Sequence, residues 1–133
     1  MDGISALAVF VGAGLGALLR WGLGTALDPL FPAVPLGTLA ANVLGGLLMG
    51  IALGVFAHFE SLPVAWRLAV TTGFLGGLTT FSAYSAEAAT LLLRADYRWA
   101  SVHLATHVVA SLLATLAGLA ATTAFFKGSL TSP

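Results

Sequence analysis

Four long apolar stretches occupy almost the whole chain and leave little material for the surface of a soluble fold. They run from about residue 4 to 27, 35 to 56, 64 to 93 and 99 to 126. Each is long enough to cross the hydrocarbon core of a bilayer as a helix, which takes about 20 mostly apolar residues. Five basic and five acidic residues in 133 cannot cover the outside of a soluble domain. The sequence therefore predicts one all-α membrane domain, residues 1–133, with four transmembrane helices.

Composition also excludes several classes of function. The chain contains no cysteine, so neither disulfides nor thiolate metal sites can form. Its formal net charge is zero, which argues against a basic surface for nucleic acid. No pairing of a nucleophile with a base is evident, and we expect no enzyme.

The basic residues are divided almost evenly between the two sides of the membrane. With four spans, Arg67 and Lys127 share the side of the N-terminus, whereas Arg94 and Arg98 lie on the opposite side, with Arg20 near it. Loop lysines and arginines orient membrane proteins during insertion. With two basic residues on one side and three on the other, neither orientation is clearly favoured. We therefore expect insertion in both orientations and an antiparallel, dual-topology homodimer.

Glycines four or eight residues apart predict where the helices pack. They form one face of the first stretch and one face of the second: Gly12, Gly16 and Gly24, and Gly46, Gly50 and Gly54. Helices in lipid associate through close backbone approach, which small residues permit. We interpret both faces as packing faces.

Strongly polar side chains inside the apolar stretches are the candidates for function, because burying them in a membrane is costly. They are Arg20, Thr38, Asn42, Glu87, His103, His107, Ser111 and Thr115. The last four recur every four residues and share one helix face. Thr115 can bond to its own helix, and Arg20 can extend to the interface. The carboxamide of Asn42 needs polar partners, either as an interhelical bridge or in a functional role, which we favour.

Two histidines four residues apart can in principle bind a metal ion. No carboxylate shares the helix face of His103 and His107, and Glu87 belongs to a different stretch. With cysteine also absent, the sequence argues against a metal site at the two histidines.

The third stretch contains the segment "GFLGGLTTFSAYSAE", residues 73–87, which is unusual for a membrane helix. Its three glycines lower helix propensity, and its threonines and serines form local hydrogen bonds that compete with the helix. We therefore predict that the third helix is broken near its middle. Irregular backbone at membrane depth must be enclosed or must line a cavity, and its free polar groups can hold ions. A glycine-rich helix crossing is the alternative.

Three motifs resemble those of the CrcB/Fluc fluoride channels, and the resemblance extends over the whole chain. The motifs are "GAGLGALLRW" (12–21), "PLGTLAANVLGGLLMG" (35–50) and "TTGFLGGLTTFSAYSAE" (71–87). The resemblance implies a multi-pass protein of the cell (plasma or inner) membrane that exports fluoride passively and selectively. It also implies an antiparallel dimer with two pores, each lined by both subunits, and a structural sodium ion on the dimer axis.

The resemblance also assigns residues. The implied fluoride pore consists of Thr38, Asn42, Phe81, Ser82, Tyr84, His103, His107 and Ser111, with Arg20 in the vestibule. The sodium ion would be held by the backbone carbonyls of Gly76 and Thr79 from both subunits. Tyr84 occupies a position that is usually phenylalanine in the family, and the two histidines lie on a track that often carries tyrosine and serine.

Physical chemistry agrees with this assignment. Fluoride holds its water tightly, so a pore must offer close donors such as the Asn42 amide and the hydroxyls of Ser82 and Ser111. The positive edge of an aromatic ring such as Phe81 can contact an anion without trapping it. A free carboxylate would repel the anion, so we expect Glu87 to be protonated or, as we favour, held by donors away from the conduction line.

Two other functions compete with a channel. A proton-coupled exporter of the small multidrug-resistance type is also a four-span, dual-topology dimer. Such exporters carry their membrane-embedded glutamate in the first span, where this chain has none, and Glu87 is its only deep carboxylate. The other alternative is a non-transporting subunit of a larger membrane complex.

Overall fold

The computed structural model describes residues 2–31 and 33–129, and within these ranges it contains helices and no strands. The helices are α1 (Gly3–Leu27), α2 (Leu36–His58), α3 (residues 64–78), α4 (Phe81–Leu93) and α5 (Tyr97–Ser129). In the described part of the chain, three helical segments are long and apolar enough to cross a membrane: Gly3–Leu30, Leu36–His58 and Tyr97–Gly128. The protein is therefore an all-α membrane protein, as predicted.

The third apolar stretch consists of two shorter helices. Helix α3 is built of an α-helical turn, a π-helical segment and a second α-helical turn: Val64–Leu68, Ala69–Leu75 and Gly76–Leu78. Thr79 and Thr80 are extended, with ψ angles of 156° and 124°, and α4 begins at Phe81. Neither helix alone has the about 20 residues that a membrane crossing needs.

Charged residues at the helix ends satisfy backbone groups that the helices leave unpaired. The Asp2 carboxylate accepts hydrogen bonds of 2.8 Å from the backbone and side chain of Ser5, and these bonds lower the pKa of Asp2. Asp28, just after α1, accepts a 2.7 Å bond from the N–H of Gly37 in the first turn of α2. Arg67 donates to carbonyls at and just beyond the end of α2, including that of Glu60 at 2.7 Å.

Glycines allow the helices to pack backbone against backbone in two pairs. In the contact of α1 with α3, a Cβ atom added to Gly16 would collide with the Phe74 carbonyl. In the contact of α2 with α5, a Cβ atom on Gly50 would lie 2.8 Å from the backbone nitrogen of Leu119. The same crowding surrounds the other glycines of these faces: Gly12, Gly46, Gly54, Gly73, Gly77 and Gly118. The predicted packing faces are confirmed at these positions, whereas a Cβ atom on Gly24 would meet only the Asp28 side chain, 3.3 Å away.

This packing predicts a contrast between two glycines of α1. Gly16→Ala should lower the free energy of unfolding by about 1–3 kcal/mol, because the added methyl group forces the backbone of α3 away. Gly14 has no atom within 4 Å of the corresponding position, so Gly14→Ala should be neutral or stabilising. Thermal unfolding of the purified protein in detergent measures the difference. Equal stability of the two variants would contradict the packing.

Candidate functional site

The side chain of Asn42 on α2 binds both polar groups of Thr80 in the extended segment. Its Nδ2 atom donates to the Thr80 carbonyl at 3.1 Å, and its Oδ1 atom accepts from the Thr80 N–H at 2.8 Å. The carboxamide thus supplies the hydrogen bonds that a continuous helix would have given this residue. The Thr80 hydroxyl then caps α4 by accepting from the N–H of Ala83 at 3.1 Å.

In this arrangement, two backbone N–H groups bind side chains instead of the carbonyls that they would bind in an unbroken α-helix. The i+4 donor of Gly76 is the N–H of Thr80, which binds Asn42 instead. The i+4 donor of Thr79 is the N–H of Ala83, which binds the Thr80 side chain. The carbonyls of Gly76 and Thr79, which the resemblance assigns to sodium, therefore lack these two helical donors.

Arg20 reaches the same region from α1. Its Nε atom donates to the carbonyl of Gly77 at 3.1 Å, near the end of α3. Arg20 also lines a cavity of about 420 Å³ beside Trp21, Asp28 and Thr38. A guanidinium at a helix C-terminus satisfies a free carbonyl and favours the negative end of the helix dipole. The location fits both alternatives, a helix-end anchor and a vestibule residue.

Asn42 also contacts the histidine face of α5. Its Nδ2 atom lies 3.2 Å from Nδ1 of His107. Because an amide nitrogen can only donate, Nδ1 accepts, and the proton of the neutral imidazole is on Nε2. The Nε2 atom and the hydroxyl of Ser111 are both buried without a hydrogen-bond partner. Two donors are therefore left unsatisfied on this helix face, next to Asn42.

Glu87 is contacted by side chains from two other helices. The hydroxyl of Thr38 donates to its Oε1 atom at 2.6 Å. His103, which is fully buried, places Nε2 at 3.5 Å from Oε2 of Glu87 and 3.2 Å from the carbonyl of Tyr84. Thr38 thus holds one oxygen of this carboxylate, as expected, whereas Oε2 has no hydrogen-bond partner. Glu87 does belong to a different helix from the histidines, as the sequence indicated, but helix packing brings its carboxylate to 3.5 Å from His103.

An open groove of about 420 Å³ runs beside these residues, between α2, α5 and the start of α4. Its lining includes five of the predicted pore residues: Asn42, Phe81, Tyr84, His107 and Ser111. The Phe81 ring lies 5.6 Å from that of Tyr84 and is 79% exposed in the single chain.

The remaining predicted pore residues, Thr38, Ser82 and His103, do not line the groove. Thr38 and His103 surround Glu87, and the Ser82 hydroxyl lies 3.2 Å from that of Thr80. Thr80 itself was missed as a site residue, although it lies at the centre of the hydrogen bonding. The adjacent threonines between glycines and Phe81 were the available signal.

Comparison of the sequence with protein families identifies relatives of this chain. Residues 7–119 match the family model described as CrcB-like protein, Camphor Resistance (CrcB). This chain belongs to the CrcB family. The resemblance of its three motifs is thereby confirmed.

Individual relatives cover nearly the full length of the chain. A protein of Nitrosomonas europaea named fluoride-specific ion channel FluC is 54% identical over 92% of this chain and 96% of its own length. Proteins of the same name from Burkholderia lata and Burkholderia ambifaria are 56% and 52% identical. They cover 86% and 94% of this chain, and 90% and 98% of their own lengths.

The two bonds to Thr80 predict how the CrcB chain responds to loss of the carboxamide. Asn42→Ala should lower the free energy of unfolding by about 1–3 kcal/mol, because the N–H and carbonyl of Thr80 lose their partner. Hydrogen exchange measured by mass spectrometry should accelerate in peptides covering residues 79–83. Thr90→Ala is the matched control, since Thr90 only bonds back to Ala86 on an exposed face. Unchanged exchange in the Asn42 variant would refute the assignment.

Proposed function

We propose that the chain is a fluoride-selective channel of the cell membrane that lets fluoride leave passively. The proposal rests mainly on one observation: next to Asn42, Ser111 and the Nε2 atom of His107 offer unpartnered proton donors beside the aromatic rings of the groove. The names of the full-length relatives support the same substrate.

The chemistry of the groove suits a small, strongly hydrated anion. Such an ion enters only if donors replace its water, and the hydroxyl of Ser111 and the Nε2 proton of His107 are donors without partners. The rings of Phe81 and Tyr84 offer positively polarised edges without a full charge. Binding can therefore be strong enough for entry and weak enough for release.

Glu87 is compatible with an anion route because one of its oxygens accepts a hydrogen bond and the other faces a buried histidine. Thr38 binds one oxygen, and His103 lies beside the other. The Tyr84 ring is stacked at 5.3 Å on that of His103, whose Nε2 atom lies 3.5 Å from the carboxylate. Such a carboxylate is also poorly suited to the exchange of protons and drugs that a multidrug exporter requires, so we retain the channel alone.

We further propose that two antiparallel copies complete the channel and form two pores. The groove is open along one side, and Phe81 is largely uncovered in the single chain, which supports a second subunit as the missing wall. The carbonyls of Gly76 and Thr79, deprived of helical donors, fit a structural sodium ion shared by both subunits. Bound there, the ion would neutralise carbonyl dipoles that the low-dielectric interior leaves unpaired.

The channel proposal predicts distinct effects of three substitutions on fluoride flux. Asn42→Asp should reduce flux about tenfold or more, because it removes the amide donor and adds a negative charge. Phe81→Ile should do the same by removing the ring edge, whereas Tyr84→Phe keeps the ring and should retain flux. Efflux from liposomes, measured with a fluoride electrode and compared with chloride, tests all three. Full flux through Asn42→Asp would count decisively against the proposal.

Dual topology makes a separate prediction. Since the basic residues are nearly balanced, a tag on the C-terminus should be accessible from both sides of the membrane in comparable amounts. Adding two lysines to the loop after α2, near Glu60, should shift the population toward one orientation. Protease protection in sealed vesicles measures both quantities. A single orientation of the unaltered protein would rule out the antiparallel dimer.

A further inference from the structure

Three side chains that can bind metal converge next to the groove, which one of them, His107, lines. Glu87 of α4 and His103 and His107 of α5 each offer one ligand atom, and these atoms all lie within 4.8 Å of one another. His103 is fully buried and His107 is 4% exposed. The cluster is distinct from the sodium carbonyls, because its ligands are imidazole nitrogens and a carboxylate.

We propose that Glu87, His103 and His107 form a binding site for a divalent transition metal ion such as Zn²⁺, Ni²⁺ or Co²⁺. The 3.5 Å between Nε2 of His103 and Oε2 of Glu87 matches the spacing of ligands around a tetrahedral ion. For ligand distances of about 2.0–2.2 Å, that spacing is about 3.4 Å. Neither metal binding nor its test depends on fluoride conduction.

Each side chain of the cluster has one buried polar atom without a hydrogen-bond partner, although ligation through Nε2 of His103 would replace its 3.2 Å contact with the Tyr84 carbonyl. Oε2 of Glu87, Nδ1 of His103 and Nε2 of His107 make no hydrogen bond in the described structure. Buried polar atoms are normally satisfied, so three unsatisfied atoms within one cluster indicate a missing ligand. Two imidazoles and one carboxylate select ions of the zinc type over Mg²⁺ or Ca²⁺, which prefer oxygen ligands alone.

Thr38 supplies the support that a ligating carboxylate needs. Its hydroxyl binds Oε1 of Glu87 at 2.6 Å, which fixes the carboxylate and leaves Oε2 for the metal. Such outer hydrogen bonds orient ligands in metal sites. His107 also lines the open groove, which gives an ion a path from outside the chain.

Metal binding would compete with Asn42 for His107. The imidazole accepts the amide proton of Asn42 through Nδ1. A metal on Nδ1 displaces this bond, and a metal on Nε2 moves the ring proton to Nδ1, which then faces another donor. Either nitrogen therefore requires the contact between Asn42 and His107 to break. The site links a metal ion to the residue that holds the extended segment.

The test is Zn²⁺ titration of the tag-free protein in detergent by isothermal calorimetry. We expect one Zn²⁺ per chain, and at least about tenfold weaker binding in His103→Gln, His107→Gln and Glu87→Gln. His58→Gln is the matched control, because His58 is the third histidine of the chain and stacks on Phe126, 3.9 Å away. It should bind as the unaltered protein does.

The Co²⁺ spectrum of the unaltered protein gives a second measurement that needs no buried substitution. Intense visible bands of tetrahedral Co²⁺ would support the site, and displacement by Zn²⁺ should remove them. Absence of saturable Zn²⁺ binding, a weak octahedral Co²⁺ spectrum, or unchanged affinity in all three ligand variants would each overturn the proposal. Loss of fluoride flux would not alter any of these outcomes.

Discussion

The double hydrogen bond between Asn42 and the backbone of Thr80 is the interaction on which the rest of the site depends. An extended residue inside an apolar protein exposes an N–H and a carbonyl, and leaving either unpaired is costly where water is excluded. One carboxamide satisfies both. It thereby allows α3 to end at Leu78 and α4 to begin at Phe81 without an unsatisfied peptide at Thr80.

The local consequences of this bond extend in two directions. Toward α3, the carbonyl of Gly76 loses its helical donor, and the neighbouring carbonyl of Gly77 is bound by Arg20. Toward α5, the second amide proton of Asn42 contacts His107 and sets its tautomer. The same side chain therefore leaves the Gly76 carbonyl without its helical donor and the Nε2 proton of His107 without an acceptor. Both properties arise because each donor or acceptor binds a limited number of partners, and no water replaces a missing one in this medium.

Much of the architecture was predictable because it depends on local or periodic properties. Apolar length predicted membrane helices, and glycine spacing predicted the faces on which α1 and α2 pack. The π-helical segment Ala69–Leu75 was not predicted. It lies where backbone atoms of α3 press against Gly12, a contact between segments that intrinsic propensity does not encode.

The sequence alone determined that the chain enters a membrane, which side chains are too polar for lipid, and that residues 73–87 disfavour a regular helix. These properties belong to each residue and its near neighbours. Only the tertiary structure decided the partners, such as Thr38 with Glu87 across 49 positions and Asn42 with His107 across 65. A buried polar group needs a hydrogen-bond partner, but its own chemistry does not determine which residue that partner is. Helix packing determines it, and here the packing brings Glu87 to His103, so that residues far apart in sequence form one cluster.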